Sequence, residues 1–500
     1  MSKTHELIES YLKTGSIAQQ QLDSYNRFIM NGINRIVESQ SIIEPEVSDF
    51  AIKLGSIRLE QPVVIESDSS TKRVVPHEAL SRNLNYSAPM YITYTPIISG
   101  IEKADAIGEA YIGELPVMVK SNLCYTKNMN KEQLMEAHED PDDPGGYFII
   151  KGTERVLVGI EDLAPNRMIT TKEKDEMVTK VFSTTVSFRA RCSVARDEYG
   201  MYTILFPTLS KGISFTLILR ALGLQPKEMV ELTDNNDVKN DMLFNIEMSK
   251  AKEMEPKDAL IELGRITAPN QAQAYQEKRA ETQLDTYILP HLGTNPEARK
   301  EKARYLVRMA ERSSLVAYRY IKQDDKDHYA KKRVKLAGDL MEELFNTAFK
   351  AFVKDIKYHV ERTTARGRRL TVKTNINPDT LTEKILYSMS TGSWPAGQTG
   401  VSQVLDRINY FGSLAHLRRI KSPLAKKHPH LKARDVHGTH IGKLCASETP
   451  EGTEVGLTRY LALMAKVTVG ADHKLFEQKL KEMKILTLGD HVDRHQKGEK

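Results

Sequence analysis

Several short stretches carry side chains that could do chemistry. Gly392-Ser-Trp-Pro-Ala-Gly397-Gln398-Thr399 approaches the phosphate-binding pattern GxxxxGK[ST], but Gln398 stands where the lysine that reaches the β- and γ-phosphates belongs. The residues before it, LTEKILYSMST, read as a helix rather than the strand that pattern needs, so a rigid turn is expected. His437, His440 and Cys445, with His428 and His430 nearby, have metal-ligating side chains. Gly438 and Gly442 argue for a loop there, and no fourth ligand stands at a familiar spacing, so no metal site is assigned. Glu448 and Glu451 could act as paired carboxylates, but Pro450 separates them and ion pairing with neighbouring arginines is the expected role. The acidic run 136–143 lacks the alternating ligands and the glycine of an EF-hand loop.

The strongest physical signal is charge. The chain has 72 Lys or Arg against 66 Asp or Glu, a net of +6. Residues 354–443 hold 17 of those bases and only 6 of the acids, which leaves the remainder slightly acidic. Arginines come in pairs, Arg368-Arg369 and Arg418-Arg419, and the planar guanidinium fork suits bidentate phosphate contact. Lys421, Lys426, Lys427 and Lys432 lie in a stretch broken by Pro423 and Pro429. Tyr410, Phe411, His416 and His437 are interleaved and could stack on bases. A polyanion, and nucleic acid first, is the partner this pattern favours. A solvated basic surface and a dock for an acidic protein stay open on charge alone.

Elements must hold these residues in place. Leu7, Tyr11 and Leu12, and then Leu22, Tyr25, Phe28 and Ile29, suggest helices within residues 1–60. VVIES and MYITYTPII predict strands, and two apolar runs around Lys151-Gly152 predict a hairpin over 146–161. VFSTTVSFRA, YTILF and ISFTLILRA continue the β pattern through 181–219, and 226–320 turns helical and charged. Leu336, Leu340, Leu344, Phe345, Ala348, Phe349, Phe352 and Ile356 mark a long amphipathic helix over about 335–359. The chain's 500 residues allow about three domains. Three cysteines are too few for a disulfide scaffold. With a polar N-terminus and no long apolar run, a reduced, cytoplasmic protein with no membrane contact is expected.

The wording of the basic region is more specific than its charge. Gly400-Val-Ser-Gln-Val-Leu-Asp-Arg407, Gly412-Ser-Leu-Ala-His-Leu-Arg-Arg419, Arg434-Asp-Val-His-Gly-Thr-His440-Ile-Gly442-Lys-Leu-Cys445 and Glu448-Thr-Pro-Glu-Gly452 follow one another within about fifty residues. Together they resemble the second-largest, beta-class subunit of multisubunit DNA-dependent RNA polymerases. Gln21-Leu-Asp-Ser-Tyr-Asn-Arg-Phe28, Leu84-Asn-Tyr-Ser-Ala-Pro89, Ile112-Gly-Glu-Leu-Pro116, Gly145-Gly-Tyr-Phe-Ile-Ile-Lys-Gly152, Leu219-Arg-Ala-Leu-Gly223 and Asp324-Asp-Lys-Asp-His-Tyr329 extend the likeness along nearly the whole chain. The chain is about half as long as that family's subunits and stops shortly after the resembling fork. It therefore looks like the B double-prime class, the N-terminal half of the subunit that some archaea split.

The resemblance implies an α+β, multidomain fold with mixed domains followed by an irregular fork. Residues 1–180 would be the first part of the protrusion, 181–322 the lobe, and 323–390 the protrusion's second part. Residues 391–470 would be the fork, with 392–400 a reduced fork loop, and 471–500 would begin the following external region. It implies a nucleotidyltransferase subunit without catalytic residues of its own. Magnesium would be held by the largest subunit, with no cofactor or metal on this chain. Arg407, Arg418, Arg419, Lys421, Lys426, Lys427, Lys432 and Arg434 would contact nucleic acid or neighbouring loops. Gln403, His437, His440 and Glu448 would shape the active centre by hydrogen bonding. Implied partners are the C-terminal half of the split subunit, the largest and other polymerase subunits, template and non-template DNA, nascent RNA and general transcription factors. A free-standing nucleic-acid-binding factor and a scaffold for an acidic partner are the rival readings.

Overall fold

The computed structural model describes residues 3–13, 16–46, 50–68, 70–103, 107–185, 188–209, 211–367, 372–425, 431–470 and 473–483. Arg368, Arg369, Lys426, Lys427, His428 and His430 lie outside the described residues. The fold is mixed α and β with several separate sheets, as expected.

The β-branched and aromatic run Ser87–Ile98 is the central strand of an antiparallel sheet. Phe50–Leu59 and Gly108–Pro116 pair along its two edges, and Ile42–Ile43 extends the first of these. Ile42–Ile43 and Phe50–Leu59 were expected to be helical. They are extended because Ile52 and Leu54 point inward while Lys53 points out, a period of two and not of three to four. Helices Gln19–Arg27 and Ile33–Glu38 do form as expected. They share a core with the sheet and with the long helix, which runs Ala337–Ala365. Phe345 and Phe349 stack in that core at 5.8 Å, and Phe28 meets Phe345 edge-on at 6.0 Å. The predicted hairpin is present as Phe148–Ile150 and Thr153–Leu157, with Lys151 and Gly152 both at positive φ in its two-residue turn.

A second core lies over a five-stranded antiparallel meander, Met168–Glu173, Glu176–Thr184, Arg189–Arg196, Tyr202–Leu205 and Ile213–Ser214. The helix Arg299–Ala317 packs on it. Two expectations need correction here. The edge placed between 180 and 181 falls inside the strand Glu176–Thr184, whose partner strand begins at Met168, so the second core starts before that strand. And Phe215–Ala221 is a helix, not a strand. All seven of its residues are buried, so no polar face marks the helical period in the sequence.

A four-stranded sheet joins the parts of the chain that matter for the basic region. Its order is Lys332–Lys335, Gly159–Leu163, Arg419–Lys421, Thr458–Tyr460. Gly159–Leu163 runs parallel to Arg419–Lys421 and antiparallel to Lys332–Lys335. Buried Gln21 fastens this sheet to the first core. Its Nε2 donates to the carbonyls of Leu157 and Leu417 at 3.3 Å each, and its Oε1 accepts from the amide of Ala337 at 3.0 Å. Next to it the long helix lies so close to Ser24 that a Cβ on Gly338 would stand 1.9 Å from the Ser24 carbonyl oxygen. Gln21→Leu keeps the volume and strips three buried backbone groups of their partner. It should cost about 3 kcal/mol, read as a lower midpoint in urea unfolding of the full chain; an unchanged midpoint would show that these contacts carry no net stability.

Candidate nucleic-acid interface

The basic region is built on the strand pair Arg419–Lys421 and Thr458–Tyr460. Upstream, Ser402–Val404 pairs with Thr153–Leu157 and feeds the helix Tyr410–Leu417, capped by Asn409 Oδ1 accepting from the Gly412 amide at 2.7 Å. The loop and helix present Ile408 and Phe411 to solvent at 88% and 80% exposure. The loop after Asp435 presents Val436 and Ile441 in the same way. Aromatic and apolar surface therefore stands beside the basic residues, as the interleaving suggested.

The arginines are engaged within the chain to different degrees. Arg418 is buried, and its guanidinium donates to the carbonyls of Ile17 (3.0 Å), Ala462 (2.6 Å), Leu463 (3.1 Å) and Ala465 (3.4 Å). Of the two expected roles, contact to nucleic acid or to neighbouring loops, these bonds are of the second kind, because the fork-shaped donor set is engaged with backbone. Arg407 pairs with Glu154 through Nε (2.7 Å) and Nη2 (2.8 Å), reaches Asp143 at 2.9 Å, and lies over the Tyr147 ring at 5.0 Å. The Glu154 hydrogen bonds hold its pKa well above the ordinary arginine value. Asp143, the last residue of the acidic run, thus has a structural use: it holds Arg407 together with Glu154. Arg434 donates through Nη1 to the carbonyls of Thr453 (2.9 Å) and Val455 (2.8 Å), tying together two loops. Arg419 is half-buried, donating to the Tyr460 hydroxyl at 3.1 Å and to Gln403 Oε1 at 3.2 Å.

Gln403 does shape this region. Its Oε1 accepts from Arg419 and faces His416 Nε2 at 3.0 Å, while its Nε2 donates to the Gly400 carbonyl at 2.9 Å. His416 Nδ1 accepts from the Asp406 amide at 3.2 Å, which puts the proton of the neutral ring on Nε2. Burial lowers its pKa to about 4, with the Arg419 charge acting in the same direction. His437 faces Asp325 at 3.0 Å through Nε2 and accepts from the Thr439 amide at Nδ1, so it links the fork to the segment returning from the second core. His440 is buried, accepts from the His437 amide, and is likewise lowered to about 4 by burial. Glu448 is exposed, and partial burial of its carboxyl raises its pKa against the opposing pull of Arg419 and Arg418. The expected ion pairing with those arginines is not how they are used: their hydrogen bonds run to Tyr460, Gln403 and backbone carbonyls.

Trp394 anchors the Gly392–Gly400 turn by donating from Nε1 to the Leu340 carbonyl at 2.9 Å. Lys421 sits on the sheet with its Nζ near Gly400. Lys432 is exposed on the short helix Leu431–Arg434 and lines a cleft of about 560 Å³ together with Lys172, Asp324, Asp325, Asp435 and His437. Among the described residues no group of three or more His, Cys, Asp or Glu side chains is placed to hold a metal ion, and no helix is long and apolar enough to cross a membrane. The site's most buried charges escaped the reading of the sequence. Glu161 accepts from Lys332 Nζ at 3.0 Å and faces Arg459 at 3.7 Å, all three nearly inaccessible to solvent. The signal was there: a carboxylate inside the apolar run VLVGIEDLA demands a buried cation.

Two outcomes follow from this geometry. Arg418→Ala should lower stability by about 3 kcal/mol, because it opens a cavity and unpairs buried carbonyls. The dependence of nucleic-acid affinity on salt should keep its slope; a shallower slope would restore Arg418 as a phosphate contact. His416 and His440 both favour the neutral form when folded. Their contribution to stability is therefore complete above the unfolded value of about 6.5 and is lost as pH falls towards about 4. Thermal unfolding followed from pH 7 to 4 should show this loss, and the double variant His416→Gln, His440→Gln should have a flatter acid limb.

The comparisons with known proteins agree with this layout. Residues 16–383 match the family described as RNA polymerase beta subunit, and residues 403–467 match RNA polymerase Rpb2, domain 3. The chain is 43% identical over 495 residues to "DNA-directed RNA polymerase subunit Rpo2N" of Methanocaldococcus jannaschii, covering 97% of this chain and 99% of the relative. It is 39% identical over 500 residues to the Rpo2N of Halobacterium salinarum, covering 96% and 95%. Against "DNA-directed RNA polymerase subunit Rpo2" of Saccharolobus solfataricus it is 41% identical over 501 residues, covering 98% of this chain but 44% of the relative. With two thirds of the sequence inside one family match and full-length relatives at this identity, the chain belongs to the second-largest subunits of DNA-directed RNA polymerase, in their archaeal Rpo2N branch.

Proposed function

We propose that this chain forms one side of the active-centre cleft of a DNA-directed RNA polymerase, with residues 391–470 as the fork beside DNA and the RNA–DNA hybrid. The observation that carries this reading is the near end-to-end similarity to Rpo2N subunits, together with the match of residues 403–467 to RNA polymerase Rpb2, domain 3. In this reading the first core, with the long helix, is the protrusion, the meander with its helices is the lobe, and residues 471–500 begin the next external region. Its direct partners are the C-terminal half of the split subunit and the largest subunit. The other polymerase subunits, template and non-template DNA, nascent RNA and general transcription factors complete the set. The polymerase works in the cytoplasm.

Nucleotide addition by two-metal phosphoryl transfer needs magnesium held by carboxylates. In this reading the largest subunit holds that metal, and the isolated chain adds no nucleotides. What this chain contributes is a rigid, basic-edged wall. Arg407, Arg418 and Arg434 stiffen it from within. Arg419, Lys421 and Lys432 supply charge along its edge, and Lys426 and Lys427, outside the described residues, add charge to the same stretch of sequence. Phosphate contacts there position nucleic acid without reading its sequence.

Reconstitution tests the reading. The chain should co-purify with the other polymerase subunits, be inactive alone, and restore RNA synthesis when added to them. In the assembled enzyme Lys432→Ala should reduce the slope of log affinity against log salt by roughly one charge's worth. A monomer that binds DNA tightly without the other subunits would instead favour a free-standing factor.

A further inference from the structure

Ten buried side-chain nitrogen or oxygen atoms have no hydrogen-bond partner among the described residues, and four of them belong to one cluster: Glu161 Oε2, Tyr329 OH, His440 Nε2 and Arg459 Nη1. Arg459 Nη1 and Glu161 Oε2 are 3.7 Å apart, too far for a direct hydrogen bond. The Tyr329 and His440 rings meet edge-on at 5.3 Å. Glu161 and Arg459 are also the charges that act most directly on both of those rings. Glu161, His440 and Arg459 are each more than nine-tenths buried.

The remaining capacity of each group is defined by what it already does. Glu161 Oε1 accepts from Lys332, leaving Oε2 as a free acceptor. Arg459 Nη2 donates to the Ala433 carbonyl, leaving Nη1 as a free donor. His440 Nδ1 accepts from the His437 amide at 3.3 Å, so the neutral ring carries its proton on Nε2 and offers a second donor. The Tyr329 hydroxyl can do either. Two donors, one acceptor and one adaptable hydroxyl are the complement of a single water, which accepts twice and donates twice. A metal cation would face the donors of Arg459 and His440. An anion would face the Glu161 carboxylate.

We propose that Glu161, Tyr329, His440 and Arg459 enclose one ordered internal water that joins the strand Gly159–Leu163, the turn at Tyr329, the strand Thr458–Tyr460 and the His437–His440 loop. The water carries the sheet's order outward to that loop, whose His437 continues to Asp325. It makes the seat of the His437–His440 loop a hydrated joint.

A map of the full chain in its purified complex, fine enough to resolve ordered waters, should show one peak within hydrogen-bond distance of at least three of the four atoms. No peak there overturns the proposal, as does a peak that gains an anomalous signal after exchange into bromide. Tyr329→Phe gives a second readout by hydrogen exchange of the amides in 437–444. Losing one arm of a bridging water should speed their exchange about threefold to tenfold. Unchanged or slower exchange would mean that the hydroxyl sits in a dry contact, and would overturn the proposal equally.

Discussion

A buried carboxylate has to be compensated, and Glu161 is compensated from far away. Taking an unpaired carboxylate out of water costs several kcal/mol even after relaxation. Lys332 and Arg459 meet it from strands on opposite sides of the four-stranded sheet. Lys332 enters only after the chain has completed the meander and its helices, and Arg459 enters only after the fork has been traversed. The charge therefore makes the sheet an all-or-nothing structure: without either partner strand, Glu161 is left underpaired. Specific placement of three distant segments is the result. Tyr329 and His440 gather around the same point, so the His437–His440 loop inherits its position from this centre.

The same logic explains how a strongly basic sequence uses its arginines. A cluster of positive charge read along the chain suggests a surface that meets phosphates. In the folded chain Arg418 is enclosed by carbonyls, Arg407 by two carboxylates and a tyrosine ring, and Arg434 by two loop carbonyls. Arginine suits this work because one planar group offers five donors in fixed directions. Irregular loops have many carbonyls without strand or helix partners, and a buried guanidinium satisfies several at once. Charge counts cannot separate that use from phosphate binding, because both favour arginine near glycine-rich loops.

What was legible in the sequence was local or strongly periodic. The turn at Lys151-Gly152 demands positive φ between two apolar runs, and the hairpin stands there. The phenylalanines of the long helix repeat at helical spacing, and the helix stands there too, extending to Ala365. The failures came where burial erased the pattern or where pairing was distant. Phe215–Ala221 is enclosed on every side, so its helical period has no polar face to show. The parallel pairing of Gly159–Leu163 with Arg419–Lys421 joins segments some 260 residues apart, and three-residue strands leave almost no periodic signal. For the candidate site, residue types pointed to the right segment, while the inward or outward direction of each side chain depended on that distant pairing. Gln403 and His440 make hydrogen bonds in the folded chain. Arg418 turns to loop carbonyls, and nothing in Leu-Arg-Arg-Ile says which arginine faces them.

Adjacent Arg418 and Arg419 end in different surroundings. Arg418 stands between the helix Tyr410–Leu417 and the strand Arg419–Lys421, and within that strand adjacent side chains take opposite faces. Leu417 and Ile420 are buried in cores, and Arg418 is drawn inward by the loop carbonyls of 462–465, so Arg419 and Lys421 are left on the more open side. That side is continuous in sequence with exposed Ile408 and Phe411. Beside its apolar core this region buries hydrogen-bonded polar groups, while several large apolar side chains stand exposed next to basic ones. Large apolar side chains held in the open by a rigid frame lose the hydrophobic stabilisation they would gain on burial, a cost that is recovered when another surface covers them. This distribution supports the reading of the chain as one wall of a larger assembly, with its stiffness supplied internally and its outer face left for contact.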